Sequence, residues 1–362
     1  MTASAAPTAV LLFNLGGPDD LASVEPFLVN LFSDREIIEL PLGAALQPVM
    51  ARLIAKLRGP SVRRNYERIG GGSPQLRITR AQAAALETRL NTGACNGGAF
   101  RVFVAMRYTR PSCEDALRAI AAAGIRRIVT LTLFPHYSKA TTGSSMREFL
   151  RLLDTPEWRV RDFDVTHIDR YAADSRYLDA MAASVTAAWE KIPAELRKHT
   201  VLVFSAHGLP QKFIDAGDPY VDETEATRLG ILERLPFSAR QVLAYQSRTG
   251  PVKWIGPGTE EMLVQLAHQG VRNVLVVPLS FVSDHIETLY EVDMLFAEAA
   301  RKAGITGYWR TDAMNTSPRF VAALAGLVED HVGRREAGGC GGRCGCCENE
   351  TIAVTAVAGA AV

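Results

Sequence analysis

The chain repeats itself, and the repeat constrains its architecture more than any other feature. Val10-Leu-Leu-Phe-Asn-Leu-Gly-Gly-Pro18 returns as Val201-Leu-Val-Phe-Ser-Ala-His-Gly-Leu-Pro210. Phe103-Val-Ala-Met-Arg-Tyr-Thr-Arg-Pro111 returns as Val242-Leu-Ala-Tyr-Gln-Ser-Arg-Thr-Gly-Pro251. Gly124-Ile-Arg-Arg-Ile-Val129 returns as Gly270-Val-Arg-Asn-Val-Leu275. Three echoes in the same order mark a duplicated unit. Each is a short run of Val, Leu and Ile without polar alternation, which suits a strand buried on both faces of a parallel sheet. Between them lie helical stretches. Cys113 to Ala123 spaces Ala116, Leu117, Ile120 and Ala121 along one face, and Glu260 to Gln269 does so with Met262, Leu263 and Leu266. Strand alternating with helix means βαβ units, hence an α/β fold with a doubly wound sheet in each half. The spacing predicts halves at 7–165 and 166–335 and a Gly- and Cys-rich tail at 336–362.

Composition narrows the class. The 362 residues suit two domains. Forty Lys and Arg against 39 Asp and Glu leave a formal charge of +1, with no excess to attract nucleic acid. A hydrophobic share of 48% excludes disorder of the whole chain. No apolar run reaches the roughly 18 residues of a membrane span. The start, Met1-Thr-Ala-Ser-Ala-Ala-Pro7, lacks the basic region of a signal peptide, so the expected location is the cytoplasm. Cys95 and Cys113 stand alone, whereas Cys340, Cys344, Cys346 and Cys347 crowd together. In a chain without an export signal that density favours metal binding over disulfides. Gly16-Gly17 and Gly70-Gly-Gly72 match neither the dinucleotide fingerprint nor the phosphate loop, so no nucleotide is expected.

In doubly wound sheets chemistry gathers beyond the carboxyl ends of the strands. His207 stands at such an end, where a neutral imidazole can ligate a metal or take a proton near pH 7. Ser283-Asp-His-Ile-Glu-Thr-Leu-Tyr-Glu291 reads as a helix start capped by Ser283, with Asp284, Glu287 and Glu291 on one face. Alone, such a row is a solvated face near a helix N-terminus. Beside His207 it reads as a site for a divalent cation or a proton relay. Leu42 to Leu57 forms an amphipathic stripe of Leu42, Leu46, Val49, Met50, Leu53, Ile54 and Leu57, flanked by Arg52, Lys56 and Arg58. It is either a core-facing helix or a lip that touches membrane and admits a flat apolar ligand.

These residues together resemble ferrochelatase, the lyase that inserts ferrous iron into a porphyrin. The resemblance rests on Asn14-Leu-Gly-Gly-Pro18, Tyr66-Glu-Arg-Ile-Gly-Gly-Gly-Ser-Pro74 and Tyr137-Ser-Lys-Ala-Thr-Thr-Gly-Ser-Ser145. It continues through Ser205-Ala-His-Gly-Leu-Pro210, Gly217-Asp-Pro-Tyr220, Tyr245-Gln-Ser-Arg248 with Trp254, and Ser283 to Tyr290, covering about residues 9 to 330. It implies two Rossmann-like domains with a cleft for the macrocycle between them, and a last helix packing back on the first half. By resemblance His207 and Glu287 are the catalytic and metal-site pair, with Asp284 and Glu291 as a relay. Leu15, Arg107, Tyr108, Ser144 and Trp254 are then porphyrin contacts. Fe²⁺ and protoporphyrin IX are the implied substrates and protohaem the product, with peripheral contact to the inner face of the cytoplasmic membrane through the Leu42–Leu57 lip. Members using coproporphyrin III often carry Tyr where this chain has Leu15, and an apolar lip suits vinyl groups, so protoporphyrin is expected. Some members hold a [2Fe–2S] cluster with one ligand in the body, at the position of Lys139. Here all four ligands would have to be Cys340, Cys344, Cys346 and Cys347, a set that zinc could also occupy, the remaining alternative being a disordered tail without metal. A cobalt or nickel chelatase acting on a reduced tetrapyrrole and a non-enzymatic porphyrin or haem carrier are the remaining alternatives.

Overall fold

The computed structural model describes residues 5–38, 43–92, 98–248 and 252–336. Leu42, Cys95 and the tail cysteines Cys340, Cys344, Cys346 and Cys347 lie outside the described residues. The first half carries β1 (Ala5–Asn14), β2 (Gly98–Met106), β3 (Arg127–Thr132) and β4 (Asp164–Ile168) in the order β2-β1-β3-β4. The second carries β5 (Thr200–His207), β6 (Gln241–Gln246), β7 (Asn273–Pro278) and β8 (Gly307–Arg310) in the order β6-β5-β7-β8. Every pairing within these sheets is parallel. Because β4 pairs with β3, the first sheet runs to Ile168, three residues past the expected boundary at 165.

The helices of the first half are α1 (Val24–Ser33), α2 (Gln47–Arg68), α3 (Gln75–Thr92), α4 (Cys113–Ala122), α5 (Ser144–Leu153) and α6 (Pro156–Arg159). Those of the second are α7 (Ser175–Glu190), α8 (Ala194–Arg197), α9 (Gln211–Asp215), α10 (Tyr220–Leu232), α11 (Thr259–His268), α12 (Ala297–Ala303) and α13 (Pro318–Glu336). A π-helical stretch follows the third strand of each half, at Lys139–Gly143 and at Glu287–Phe296. Helix α4 starts where the sequence places it, because Ser112 and Asp115 cap each other's backbone donors. The connection from α4 to β3 turns at Gly124 (φ +69°), and that from α11 to β7 at Gly270 (φ +86°), a left-handed conformation that favours glycine.

The duplication persists in the hydrogen bonds and sets an equivalence between halves. Leu133 N–H donates to the Phe13 carbonyl as Leu279 N–H donates to that of Ser205. Met106 N–H donates to the Pro111 carbonyl as Tyr245 N–H donates to that of Pro257. The counterpart of Pro111 is therefore Pro257 and not Pro251. The connection after β6 is the longer one, and the extra chain carries Arg248 and Trp254. In this register Leu15 corresponds to His207, and Tyr108 to Ser247.

One apolar cluster spans both sheets, joining Val10, Leu12 and Leu131 to Leu202, Phe204, Leu275 and Val277. Phe320, Leu324 and Val328 of α13 complete it, and α13 lies against both α3 and α7. Each such side chain contributes about 1.5–3 kcal/mol by leaving water, so the shared cluster joins the halves into one packed unit. Helix α2 departs from the expected pattern. It runs through Gly59-Pro60 to Arg68 and buries its small face, Ala51, Ala55 and Gly59, which lets it approach α1 closely. Leu46, Val49, Leu53 and Leu57 are left 44%, 57%, 51% and 72% exposed, so the stripe does not face the core.

Candidate active site

His207 ends β5 and Glu287 opens the second π-helical stretch, so adjacent parallel strands deliver both to one edge of the second sheet. His207 Nδ1 lies 2.8 Å from Glu287 Oε2. Both side chains are half-buried, 31% and 14% exposed. The main chain of His207 is anchored as well: its N–H donates to Ser280 Oγ at 2.9 Å, which lies 2.6 Å from the buried Tyr220 hydroxyl. With Nδ1 engaged by Glu287, Nε2 is the nitrogen left for a metal or a substrate proton.

Ser247 follows β6 with φ +63°, unusual for a residue with a side chain. That conformation holds its Oγ between two carboxylates, 2.9 Å from Glu287 Oε2 and 2.6 Å from Glu291 Oε2. One hydroxyl has one proton, so both short contacts require a second proton on one of the acids. Burial and the Glu287 charge push the Glu291 carboxyl up to about 7, so that proton rests on Glu291. Glu287 is desolvated too, but the adjacent His207 outweighs burial and holds its carboxyl well below the usual range. For His207 burial favours the neutral imidazole, and the attraction of Glu287 and Glu291 overcomes it to raise the value above that of free histidine. His207, Glu287, Ser247 and Glu291 form one proton-sharing chain. Buried His285 lies beneath it, its Nδ1 at 3.1 Å from the Ser283 carbonyl and its Nε2 without a partner among the described residues.

Two readings of this segment need correction. Ser283 caps nothing: the helical conformation begins beyond it, at Ile286. Asp284 therefore lies outside the helix and does not share a face with the glutamates. It accepts from Asn315 Nδ2 at 2.8 Å and from Arg310 Nη1 at 3.3 Å. The acid row is two residues long. Among the described residues no group of three or more His, Cys, Asp or Glu converges on one point.

The first half supplies the opposite wall. Tyr66 and Arg68 of α2 reach the π-helical stretch, with the Arg68 guanidinium 5.7 Å from the Tyr290 ring centre. Leu15 packs with Ile286 against the apolar cluster of α1 and α2. Trp254 lies over Gly208, the residue after His207, where an added Cβ would stand 2.7 Å from the Gln246 carbonyl and 3.5 Å from the indole. Arg107, Tyr108 and Ser144 are brought together, but around a residue that the sequence reading passed over. Tyr108 Oη donates to Asp34 Oδ2 at 2.7 Å, Arg107 Nη2 does so at 2.8 Å and Ser144 Oγ at 2.5 Å. Tyr108 and Ser144 are 2% and 1% exposed, so they back the wall and do not form its surface. Asp34, Tyr66 and His285 are the neighbours missed in sequence. The positions after β2 and β6 pointed only to Tyr108 and Ser247.

Residues 7–332 match the family described as Ferrochelatase. Proteins named ferrochelatase from Geotalea uraniireducens and Geobacter metallireducens are each 50% identical to the chain, over 325 and 323 residues. Those stretches cover 90% and 89% of this chain and 98% and 97% of the relatives. One from a Synechocystis strain is 45% identical, covering 89% of this chain and 82% of that protein. Among solved structures, SirB from Bacillus subtilis with Fe³⁺ aligns at a TM-score of 0.52 and 12% identity, covering 92% of this chain and 98% of that one. DR2241 from Deinococcus radiodurans, a multi-domain protein with structural similarity to chelatases, aligns at 0.50 and 13% identity, covering 89% of this chain and 55% of its own. At such identities these likenesses speak for the fold alone.

Proposed function

We propose that this chain, which belongs to the ferrochelatase family, inserts Fe²⁺ into protoporphyrin IX to give protohaem. Members of the family are enzymes, lyases that insert Fe²⁺ into a porphyrin, and this chain is one of them. The observation that carries the mechanism is the His207–Glu287 contact at 2.8 Å, with Glu291 one hydroxyl away. Insertion replaces two pyrrole N–H protons with one Fe²⁺ and must dispose of both protons. A half-buried imidazole beside a carboxylate can receive an ion of intermediate hardness and accept protons at the same place. In our reading His207 Nε2 faces the macrocycle and Glu287 balances its charge. Ser247 and Glu291 carry protons away. Leu15 and Trp254 hold the macrocycle by apolar contact, with Arg107, Tyr108 and Ser144 shaping the wall behind it.

The apolar Leu15 supports protoporphyrin over coproporphyrin III, which carries two more propionates. The exposed stripe Leu46, Val49, Leu53 and Leu57, next to the exposed Arg52, Lys56 and Arg58, supports a peripheral contact with an anionic membrane at the cytoplasmic face. Among the described residues no helix is long and apolar enough to cross a membrane. Four tail thiols support a [2Fe–2S] cluster on Cys340, Cys344, Cys346 and Cys347. Lys139, at the position of the body ligand, carries no thiol, and among the described residues Cys113 is buried in the core. That set suits a cluster by donor chemistry, and a cluster there would be structural or regulatory.

The test is anaerobic incubation with Fe²⁺ and either porphyrin, followed by absorption. Protoporphyrin IX is expected to turn over faster. His207→Ala should lose turnover by about a hundredfold or more while still binding porphyrin, because apolar and stacking contacts hold the macrocycle. Near-normal turnover in that variant would overturn the site assignment, and faster turnover of coproporphyrin III the substrate.

A further inference from the structure

Asp34 is the residue on which the first half of the site converges. It ends α1, its side chain is 4% exposed, and its Oδ2 accepts from Arg107, Tyr108 and Ser144. Its Oδ1 accepts from the Glu36 N–H at 2.9 Å. Four chain segments are thus tied at one carboxylate: the end of α1, the chain leaving it, the turn after β2 and the start of α5. Gln47, the first residue of α2, ties the same region again by donating from Nε2 to the Phe32 and Ile38 carbonyls at 2.8 and 2.6 Å.

The equivalence between halves gives this knot a meaning beyond stability. Tyr108 stands where Ser247 stands in the second half. Each follows the edge strand of its sheet, and each gives its hydroxyl to a buried carboxylate, Asp34 at 2.7 Å and Glu287 at 2.9 Å. Tyr108 of the Asp34 knot thus takes the framework position that Ser247 takes in the catalytic chain, although the two carboxylates come from different elements.

We propose that Asp34 is a positioning residue for the porphyrin, setting the turn after β2, Ser144 and the helix pair α1–α2 in the arrangement that grips the macrocycle. This rests on the porphyrin reading above. A carboxylate is required because an amide cannot replace it. With its oxygen toward the three donors, an asparagine would turn its NH₂ against the Glu36 N–H. Flipped, it would meet the Arg107 guanidinium with a donor and force both hydroxyls to turn from donors to acceptors. Either way Arg107, whose side chain is only 19% exposed, loses its counter-charge.

The test compares Asp34→Asn with the unaltered chain in metal insertion and in trypsin digestion. Arg52, Lys56 and Arg58 are exposed on α2, so cleavage there reports how firmly that helix is held. Losing one charge-assisted bond should raise KM for porphyrin about tenfold. We expect kcat and KM for the metal to stay within about threefold, and cleavage at the three sites to quicken. Unchanged porphyrin KM and cleavage in a folded variant would overturn the proposal, as would a uniform loss of activity matching a loss of folded protein. If Asp34→Asn does not fold, Tyr108→Phe combined with Ser144→Ala removes two donors and keeps the ion pair. It should raise porphyrin KM severalfold, and an unchanged KM overturns the proposal equally. Should the unaltered chain insert no metal, the porphyrin reading itself fails, and the cleavage pattern still decides whether Asp34 holds α2.

Discussion

Glu291→Gln should flatten much of the pH dependence of stability above about pH 4.5. Glu291 shares Ser247 Oγ with Glu287, and burial together with the Glu287 charge raises its carboxyl from 4.5 to about 7. At 1.36 kcal/mol for each tenfold change in proton affinity, holding that proton up to about 7 amounts to about 3 kcal/mol. The sign follows from proton counting. Between 4.5 and about 7 the folded chain keeps a proton that the unfolded chain has released, so stability falls as pH rises through the window. The contribution is fully present below the lower value and lost above the upper one. Glu287 adds no slope there, because its lowered carboxyl is ionised in both states over that range. His207, raised, adds a slope of the same sign to both proteins. Glutamine carries no charge at any pH, and its amide can donate to Ser247 Oγ as the protonated acid does. Urea unfolding at pH 5 and pH 8 checks the argument. The two chains should differ little at pH 5, with the variant more stable by about 2–3 kcal/mol at pH 8. An equal gap at both pH values would refute it.

Two other outcomes can be measured. Leu53→Glu with Leu57→Glu should leave stability within about 0.5 kcal/mol, since these side chains are 51% and 72% exposed, while weakening sedimentation with anionic vesicles. Ala55→Glu on the buried face, at 0% exposure, should instead destabilise by several kcal/mol, so a reversed order would show that the stripe is misread. Protein prepared anaerobically should contain iron and acid-labile sulfide in equal amounts, lost in Cys346→Ser. Zinc in their place would rule out the cluster.

What could be read from the sequence followed from periodicity. The echoes placed the strands because a strand buried on both faces must be apolar throughout, and the spacing of Ala116, Leu117 and Ile120 placed α4. His207 and Glu287 were legible because strand ends and charged residues are both visible in sequence. Three features were not. An acid row predicted on α-helical spacing lost Asp284, because the helix starts after it and is wound as a π-helix. The stripe on α2 was left between a core face and an exposed lip, since periodicity identifies a face without saying what covers it. The alanines at 51 and 55, too small to attract notice, form the buried face. Asp34 was invisible because its partners lie 73, 74 and 110 positions away, and no local pattern brings them together.

Proton counting also separates the two halves of the duplicated scaffold, and it fits the proposed site in the second. In the first half a single carboxylate faces four donors, those of Glu36, Arg107, Tyr108 and Ser144. Each proton there has a fixed owner, and the arrangement is stiff. In the second half Glu287 and Glu291 share the Ser247 hydroxyl, Glu287 also meets His207 Nδ1, and one exchangeable proton on Glu291 completes the chain. Because the Glu291 proton is the one held near neutrality, the proposed relay passes a proton from His207 or Glu287 through Ser247 without moving a heavy atom. Leu15, standing where His207 stands in the other half, keeps that mobility to one side. A stiff, fully donated knot in one half and a proton-sharing chain in the other suit the proposed reaction, which must hold a macrocycle still while removing two protons from its centre.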